Sequence, residues 1–180
     1  MDECRRRRAL PGTRGPGCLD VRVATVSAMT YTTAEGREQI LDALATAADE
    51  IGVALGLLSE AYEHLDEHAA ERLEEQLFQP VQAAYGRAKR IHAAFAQRHE
   101  LAGRAFQSPS QVAPSNGAKG LIDDAVSAAA RADAALGELQ DSMLPIEVGD
   151  AELRAGLTGV RELLGDVRVR ARELVRTLGR

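Results

Sequence analysis

Residues 59–75, SEAYEHLDEHAAERLEE, contain the side chains of this chain that could do metal or proton chemistry. The stretch holds seven carboxylic acids, and its two histidines lie four residues apart. On a helix, Glu60, His64 and His68 would share one face at positions i, i+4 and i+8, a spacing that can supply ligands to a zinc ion. The same pattern is also typical of the solvated acidic end of a helix.

A metal site needs ligands that converge from several elements and neighbouring groups that orient them, and one exposed helix face supplies neither. Carboxylate-bridged dinuclear bundles use Glu-x-x-His motifs. The residues three positions before the four histidines are instead Ala61, Leu65, Lys89 and Ala96. We therefore expect a solvated acidic helix end here, and keep a metal site as the alternative. Its ligands would be His64, His68, His92 and His99.

His92 and His99 fall near the middle of an apolar helix face, between Ala88, Phe95 and Ala102. A histidine in such a place is typical of a core or boundary position. The more specific alternative is a polar site inside the protein, where these histidines bind a metal or small molecule together with Tyr85 or carboxylates of a facing helix. Such a site would titrate near neutral pH.

The position of the first turn between helices decides whether the histidines can meet. If Asp66 caps a new helix, the turn lies at Asp66–Ala70 and His64 stays far from His92. If the first helix continues to about Phe78, Pro80 starts the second helix and the histidines lie along one hairpin. We favour the earlier turn because it gives helices of similar length, with Pro80 at a kink or distortion.

From Thr33 onward the apolar residues recur with the period of an α-helix. Thr32 or Thr33 is the expected N-cap of the first helix, and Asp150 that of the last, which Gly179 closes. The loop SPSQVAPSNG separates the second segment from the third, and Pro145 ends the third. The four apolar stripes run over 40–65, 81–106, 121–143 and 153–178. This pattern predicts an all-α, antiparallel up-down four-helix bundle with short connections.

Composition limits the function classes. The chain has 180 residues, enough for one domain, with 3% aromatic residues, no Trp and a net charge of −5. An acidic chain lacks the basic face that nucleic-acid binding requires. No apolar run approaches the roughly 20 residues that span a bilayer. No protease, P-loop or hydrolase motif is present in the sequence.

Residues 1–28 differ from the rest, with a block of four arginines, Pro and Gly, and no apolar periodicity. We expect a disordered basic tail, or a wrongly assigned start with Met29 as the true one, and a bundle over 29–180. Both cysteines, Cys4 and Cys18, lie in this tail, which favours a reducing, cytoplasmic location. The Ala-, Arg- and Gly-rich composition is typical of a GC-rich, bacterial genome.

Charge alternates between segments: −10 over 29–79, +4 over 80–107, −5 over 117–150 and +3 over 151–180, with +3 in 1–28. If sequential helices are neighbours, each meets the opposite sign, which would help to specify the topology. The alternative is a dipolar surface used for self-association or for docking a partner.

The sequence thus predicts a non-catalytic interaction or structural protein without a cofactor, with a protein partner or a second copy as ligand. An acidic helix that mimics nucleic acid and sequesters a regulator is a further possibility. The alternative class is a metal- or small-molecule-binding bundle, possibly an enzyme, using His92 and His99. The expected interaction surfaces are acidic (Glu60, Glu63, Glu67, Glu71, Glu74, Glu75) and basic (Arg161, Arg168, Arg172, Arg176).

Overall fold

The computed structural model describes the backbone of residues 20–107 and 117–178, and the side chains within these ranges from Thr33 onward. The chain divides into two compact units, Met1–Thr32 and Thr33–Arg180. The predicted disordered tail falls largely on residues 1–19, which lie outside the described residues, as do both cysteines and Gly179. Residues 20–28 of that tail are helical.

Within the described residues there are seven α-helices, one π-helical turn and no strand; the π turn and six of the helices form four rods. The first rod is α1, the second is α2, the π turn and α3, the third is α4, and the fourth is α6 and α7; α5 is a short helix before the fourth rod. The bounds are α1 Asp20–Glu63, α2 Glu67–Leu73, π turn Glu74–Phe78, α3 Gln79–Arg98, α4 Gly117–Asp141, α5 Leu144–Glu147, α6 Ala151–Gly165 and α7 Val167–Leu178.

The four apolar stripes pack into one continuous core, as predicted. Phe95 is completely buried in this core, and burial of such a side chain contributes about 1.5–3 kcal/mol to the free energy of unfolding. Two ends of the predicted stripes are wrong: Tyr62 is 41% exposed and Met143 is 58% exposed. Both lie at a helix end, where the neighbouring rod no longer covers the face. The all-α bundle itself is confirmed.

The first turn lies at His64–Asp66, which confirms the earlier of the two predicted positions. Asp66 has extended backbone angles, and its carboxylate accepts a 3.0 Å hydrogen bond from the Ala69 N–H. This N-cap satisfies one of the free donors at the start of α2 and starts the second rod.

A π turn over Glu74–Phe78 interrupts the second rod just before Pro80. The backbone N–H of Gln79 donates to the carbonyl oxygen of Glu74, five residues earlier. A proline has no N–H to donate, and its ring would clash with the carbonyl four residues before it, which is Gln76 here. The wider turn relieves this conflict, so the distortion expected at Pro80 is confirmed.

The π turn also keeps one buried row in register. The residues Ala69, Leu73, Leu77 and Val81 are all buried and lie four positions apart. A regular α-helix turns about 100° per residue, so three such steps would drift by about 120° around the axis. Because the π turn takes up one extra residue, most of this drift disappears and the row stays on the core.

The second rod ends at Arg98, which corrects the prediction that its helical face continues to Phe106. Glu100 adopts a left-handed φ of 56°, and the Leu101 N–H donates to the Ala96 carbonyl at 2.9 Å. This pairing is the Schellman arrangement that reverses a chain after a helix, usually with glycine in the left-handed position. Residues 101–107 are not helical and run back along α3.

Adjacent rods run antiparallel, since residue numbers rise along one rod as they fall along its neighbour. The second and fourth rods are joined by the contacts Arg72–Thr177 and Arg98–Asp150, and the third and fourth by Asp133–Arg161 and Gln140–Thr158. The first and third rods meet at Glu50–Arg131, and Gly36 of the first lies beside Leu144 of α5. Between the first and second rods, Gly52 lies beside Tyr85, and Ser59 and Phe78 line one hollow.

The order around the bundle is therefore first, second, fourth, third. The second and third rods both run antiparallel to the first and the fourth, so the second and third run in the same direction. The described part of the connection between them, residues 99–107, turns back along α3. The expectation that all connections are short is wrong here. The charge prediction holds where the first rod meets the second and where the third meets the fourth, but the acidic first and third rods lie side by side, as do the basic second and fourth. Local ion pairs such as Glu50–Arg131 join these rods instead.

Three predicted boundaries are corrected. The first helix begins at Asp20 rather than Thr33, since no glycine or proline interrupts residues 18–35. The third rod ends at Asp141, and Pro145 lies in the first turn of α5, where its missing N–H costs nothing. The fourth rod breaks at Asp166 into α6 and α7. Over the ranges with described backbone, none of the helices has the length and apolarity to cross a membrane.

Replacing Glu100 with glycine should raise the free energy of unfolding by about 0.5–1 kcal/mol, because glycine adopts a left-handed φ without steric cost. Glu38→Gly, at an exposed position inside α1, should lower it by a similar amount. Urea unfolding monitored by circular dichroism measures both variants. A loss of stability in Glu100→Gly would contradict the assignment of this reversal.

Candidate functional site

The structure does not bring the four histidines together. His64 is exposed beside the first turn, with its Nε2 3.6 Å from Glu60 Oε1, and His68 is exposed on α2. His92 is buried and His99 follows α3, near the other end of the bundle. Over residues 33–107 and 117–178, no three His, Cys, Asp or Glu side chains are grouped so that they could hold a metal ion.

His99 belongs to an ionic cluster centred on Asp150, the N-cap of α6. The Asp150 carboxylate is only 6% exposed and accepts a 2.8 Å hydrogen bond from the Leu153 N–H. Arg98 donates to Asp150 Oδ2 through Nε at 3.0 Å and Nη2 at 2.7 Å, and His99 Nε2 lies 3.3 Å from the same oxygen. The predicted N-cap is confirmed, and it also joins the end of α3 to the start of α6.

Burial alone would raise the pKa of Asp150, because a carboxylate loses water in the interior. The hydrogen bonds from Leu153, Arg98 and His99 and the charge of Arg98 outweigh this effect, so the pKa of Asp150 lies below its ordinary value. The carboxylate is therefore ionised throughout the physiological range and acts as a fixed anion that holds two rods together.

His92 is 2% exposed and lies beneath the returning segment 101–107. The Phe106 ring meets the imidazole edge-on at 5.0 Å, and His92 Nδ1 has no hydrogen-bond partner. Burial lowers the pKa of His92, and the nearby Arg104 lowers it further, against the opposing effect of Asp42 and Asp49. His92 is thus a neutral core residue, as the core interpretation predicts.

The returning segment is fixed by polar contacts at its outer side. Arg104 forms an ion pair with Asp49 of α1, and its guanidinium lies 4.8 Å from the centre of the Phe106 ring. The Tyr85 hydroxyl donates to the Gln107 carbonyl at 3.0 Å. These contacts close the bundle over His92, and leave the surface farther along α1 and the second rod uncovered.

That uncovered surface forms an acidic groove between α1 and the second rod. It consists of two hollows, of about 750 Å³ and about 230 Å³, that share Ser59, Glu63 and Phe78. The floor is small or apolar, and the wall contains aromatic rings on both rods. The residues lining the acidic groove are Leu55, Gly56, Ser59, Glu60, Tyr62, Glu63, Glu74, Phe78, Gln82 and Tyr85.

The groove contains three carboxylates and no basic side chain in its lining. Within residues 33–107 and 117–178, Glu63 and Glu74 form no ion pair, and Glu60 meets only His64. The half-buried Phe78 and the exposed Tyr62 supply apolar surface beside these charges. This combination fits a ligand that has cationic groups on an apolar or aromatic-compatible body.

The sequence located the acidic half of this groove but not its walls. Glu60, Glu63 and Glu74 lie in it, whereas Glu67, Glu71 and Glu75 are exposed outside its lining. Tyr62 and Tyr85 fall within the predicted apolar stripes 40–65 and 81–106, and Phe78 lies between these two stripes. The available signal was the placement of these aromatic residues at the ends of apolar stripes, next to acidic positions.

The four predicted basic residues separate into two environments. Arg161 is half-buried, donates to Asp133 at 2.8 Å and to Gln140 at 2.7 Å, and holds the third and fourth rods together. Its hydrogen bond to Asp133 raises the pKa of Arg161 further. Arg168, Arg172 and Arg176 are exposed on α7 and form no ion pair within the described ranges. Only these three remain available to a ligand.

Comparison of the chain with protein-family models, with curated proteins and with solved structures found no match.

Replacing Asp150 with alanine should lower the free energy of unfolding by more than replacing it with asparagine. Alanine removes the cap, which contributes about 0.5–2 kcal/mol, and also leaves Arg98 and His99 without their anion. Asparagine retains an oxygen for the Leu153 N–H and loses only the charge. Denaturant unfolding at pH 7 measures the free energy of unfolding of both variants and so tests which of them is less stable.

Asp66→Ala is the matched control for the Asp150 variants, since Asp66 caps α2 in solvent without an ion pair. Asp66→Ala should lower the free energy of unfolding only by the contribution of the N-cap. Because the pKa of Asp150 is depressed, its extra contribution is complete above about pH 4 and is lost as the pH falls below that value. Equal losses in Asp66→Ala and Asp150→Ala would show that the ionic cluster adds nothing.

Acidification from pH 7 to pH 5 should destabilise the protein partly through His92. Its pKa is lower in the folded than in the unfolded state, so its contribution is complete above about pH 6.5 and is lost as the pH falls below that value. His92→Leu should flatten the dependence of the unfolding midpoint on pH. His68→Leu, at an exposed site, should leave the dependence unchanged. Parallel slopes for the two variants would contradict the role of His92.

Proposed function

We propose that the protein is a non-catalytic interaction module whose acidic groove binds a basic, partly apolar segment of a protein partner. The observation that carries this proposal is the juxtaposition, in one groove, of Glu60, Glu63 and Glu74 with the rings of Tyr62 and Phe78. Within the described part of the chain, none of these carboxylates has a lysine or arginine partner. A partner would supply those cations.

The form of the groove supports a peptide-like ligand. It follows the line between two antiparallel rods, and its two hollows continue into one another. A helix or extended segment lying in such a groove can place basic residues on the carboxylates and an apolar residue between Tyr62 and Phe78. Charge complementarity of this kind mainly accelerates association and selects the partner, and it weakens as salt is added.

The chemistry of the lining supports binding rather than catalysis. Among the residues that line the groove, no nucleophile lies within hydrogen-bond distance of a base. The Tyr85 hydroxyl is engaged by the Gln107 carbonyl, and burial raises the pKa of Tyr85, so it remains a protonated donor. The groove therefore offers fixed anions and apolar surface to a ligand.

A synthetic amphipathic peptide of lysine and leucine tests this proposal by isothermal titration calorimetry at low salt. The groove variant, Glu60→Gln with Glu63→Gln and Glu74→Gln, should bind this peptide at least about tenfold more weakly, which corresponds to about 1.4 kcal/mol. A glutamate and leucine peptide of the same length should not bind. Raising the salt concentration should weaken binding to the unmodified protein more than to the groove variant.

The matched control neutralises three exposed acids at the opposite end of the bundle: Glu35→Gln, Glu38→Gln and Glu147→Gln. This control variant has the same net charge as the groove variant, so its affinity for the basic peptide should stay close to that of the unmodified protein. Equal losses in the two variants would mean that net charge, and not the groove, attracts the peptide, and the proposal would fail.

A further inference from the structure

A second groove, of opposite charge, lies between α4 and α7. This basic groove has a volume of about 520 Å³ and is lined by Arg131, Arg168 and Arg172, with Val126 and Ala171 as apolar floor. Asp123 is the single acid in its lining. Arg131 is held by Glu50, its Nη2 lying 2.8 Å from the carboxylate. Arg168 and Arg172 form no ion pair within the described ranges, so their guanidinium groups face the groove unneutralised.

The free cations continue along α7. Arg168, Arg172 and Arg176 are exposed and spaced four residues apart, so they form a row with steps of about 6 Å. Val169, beside this row, is 56% exposed. The acidic groove presents the complementary set, in which carboxylates are spaced three residues apart on α1 and Tyr62 is exposed beside them. Each groove thus offers what the other lacks.

The two grooves lie on opposite sides of the bundle at similar heights. The acidic groove lies between the first and second rods, and the basic groove lies between the third and fourth, which are opposite edges in the order around the bundle. The Glu50–Arg131 contact fixes the relative height of α1 and α4. Because these helices are antiparallel, the basic groove at Asp123–Arg131 is level with residues 50–58 of α1, next to the acidic groove at residues 55–63.

We propose that the partner bound by the acidic groove is a second copy of this chain, which presents the Arg168–Arg172 face of α7. This inference rests on the proposed function and names its partner. One copy shifted sideways brings its basic groove against the acidic groove of the next. Because the two surfaces differ and lie on opposite sides, each molecule can use both at once, which produces a row or a closed ring rather than a symmetric dimer.

Sedimentation velocity of the full chain across a concentration series tests this at low and high salt. At 50 mM NaCl the average mass should rise with concentration and exceed that of a dimer, and at 500 mM NaCl it should approach that of the monomer. The groove variant should remain monomeric at low salt. So should the arginine variant, Arg168→Gln with Arg172→Gln, while circular dichroism confirms that both are folded.

A mixture of the groove variant and the arginine variant gives the decisive test. The arginine variant retains an acidic groove and the groove variant retains a basic groove, so a mixture should form one-to-one dimers and stop there. An unmodified chain that stays monomeric at low salt, a mixture that forms no dimer, or assembly that survives in either variant alone would overturn the inference. If the monomeric chain still binds the basic peptide through its acidic groove, the proposed function stands and its partner is another protein; if it does not, both proposals fail.

Discussion

The reversal of the chain after Arg98 decides which rods become neighbours. Because Glu100 takes a left-handed conformation and residues 101–107 run back along α3, the third rod starts at the same end of the bundle as the second. The first rod must then contact the third, and the second must contact the fourth. If the chain had turned directly from the second rod into the third, these two rods would have been antiparallel neighbours. Each acidic rod would then have lain between two basic rods. The acidic and basic grooves, in contrast, lie between rods that are consecutive in sequence, the first and second and the third and fourth.

The arrangement explains how charge is distributed between the interior contacts and the surface. Three of the interfaces between rods each have a local ion pair: Glu50 with Arg131, Asp133 with Arg161, and Asp150 with Arg98. The two more exposed pairs, Glu50–Arg131 and Asp133–Arg161, contribute roughly 0–1 kcal/mol each, whereas the buried Asp150 carboxylate also caps α6. The core therefore supplies most of the stability, and the pairs help to select neighbours. Of the charges that form no ion pair within the described ranges, Glu63 and Glu74 line the acidic groove at one edge, and Arg168 and Arg172 line the basic groove at the opposite edge.

The stripes, the turn at Asp66 and the cap at Asp150 could be predicted because each depends on residues close in sequence. Helical periodicity reports which face is buried, and a capping carboxylate acts on the N–H three residues later. The topology could not be predicted in this way. No sequence pattern predicts that Glu100 adopts a left-handed conformation. In addition, Ala102 and Phe106 continue the helical spacing of apolar residues beyond Arg98, where α3 ends. The walls of the acidic groove were missed for a related reason: an aromatic residue at the end of a stripe has the same spacing whether or not another rod covers it.

The π turn has a consequence for how such a surface could change during evolution. It accommodates one residue more than a regular helical turn, and both flanking helices keep their own hydrogen bonds. Loss of a single residue within it, together with replacement of Pro80, would restore an ordinary α-helix. Eleven regular steps of about 100° span nearly the same angle as the twelve steps that now lead from Ala69 to Val81, so this buried row would stay on the core. The π turn is therefore a place where the chain can become one residue shorter while the same face of α2 stays buried.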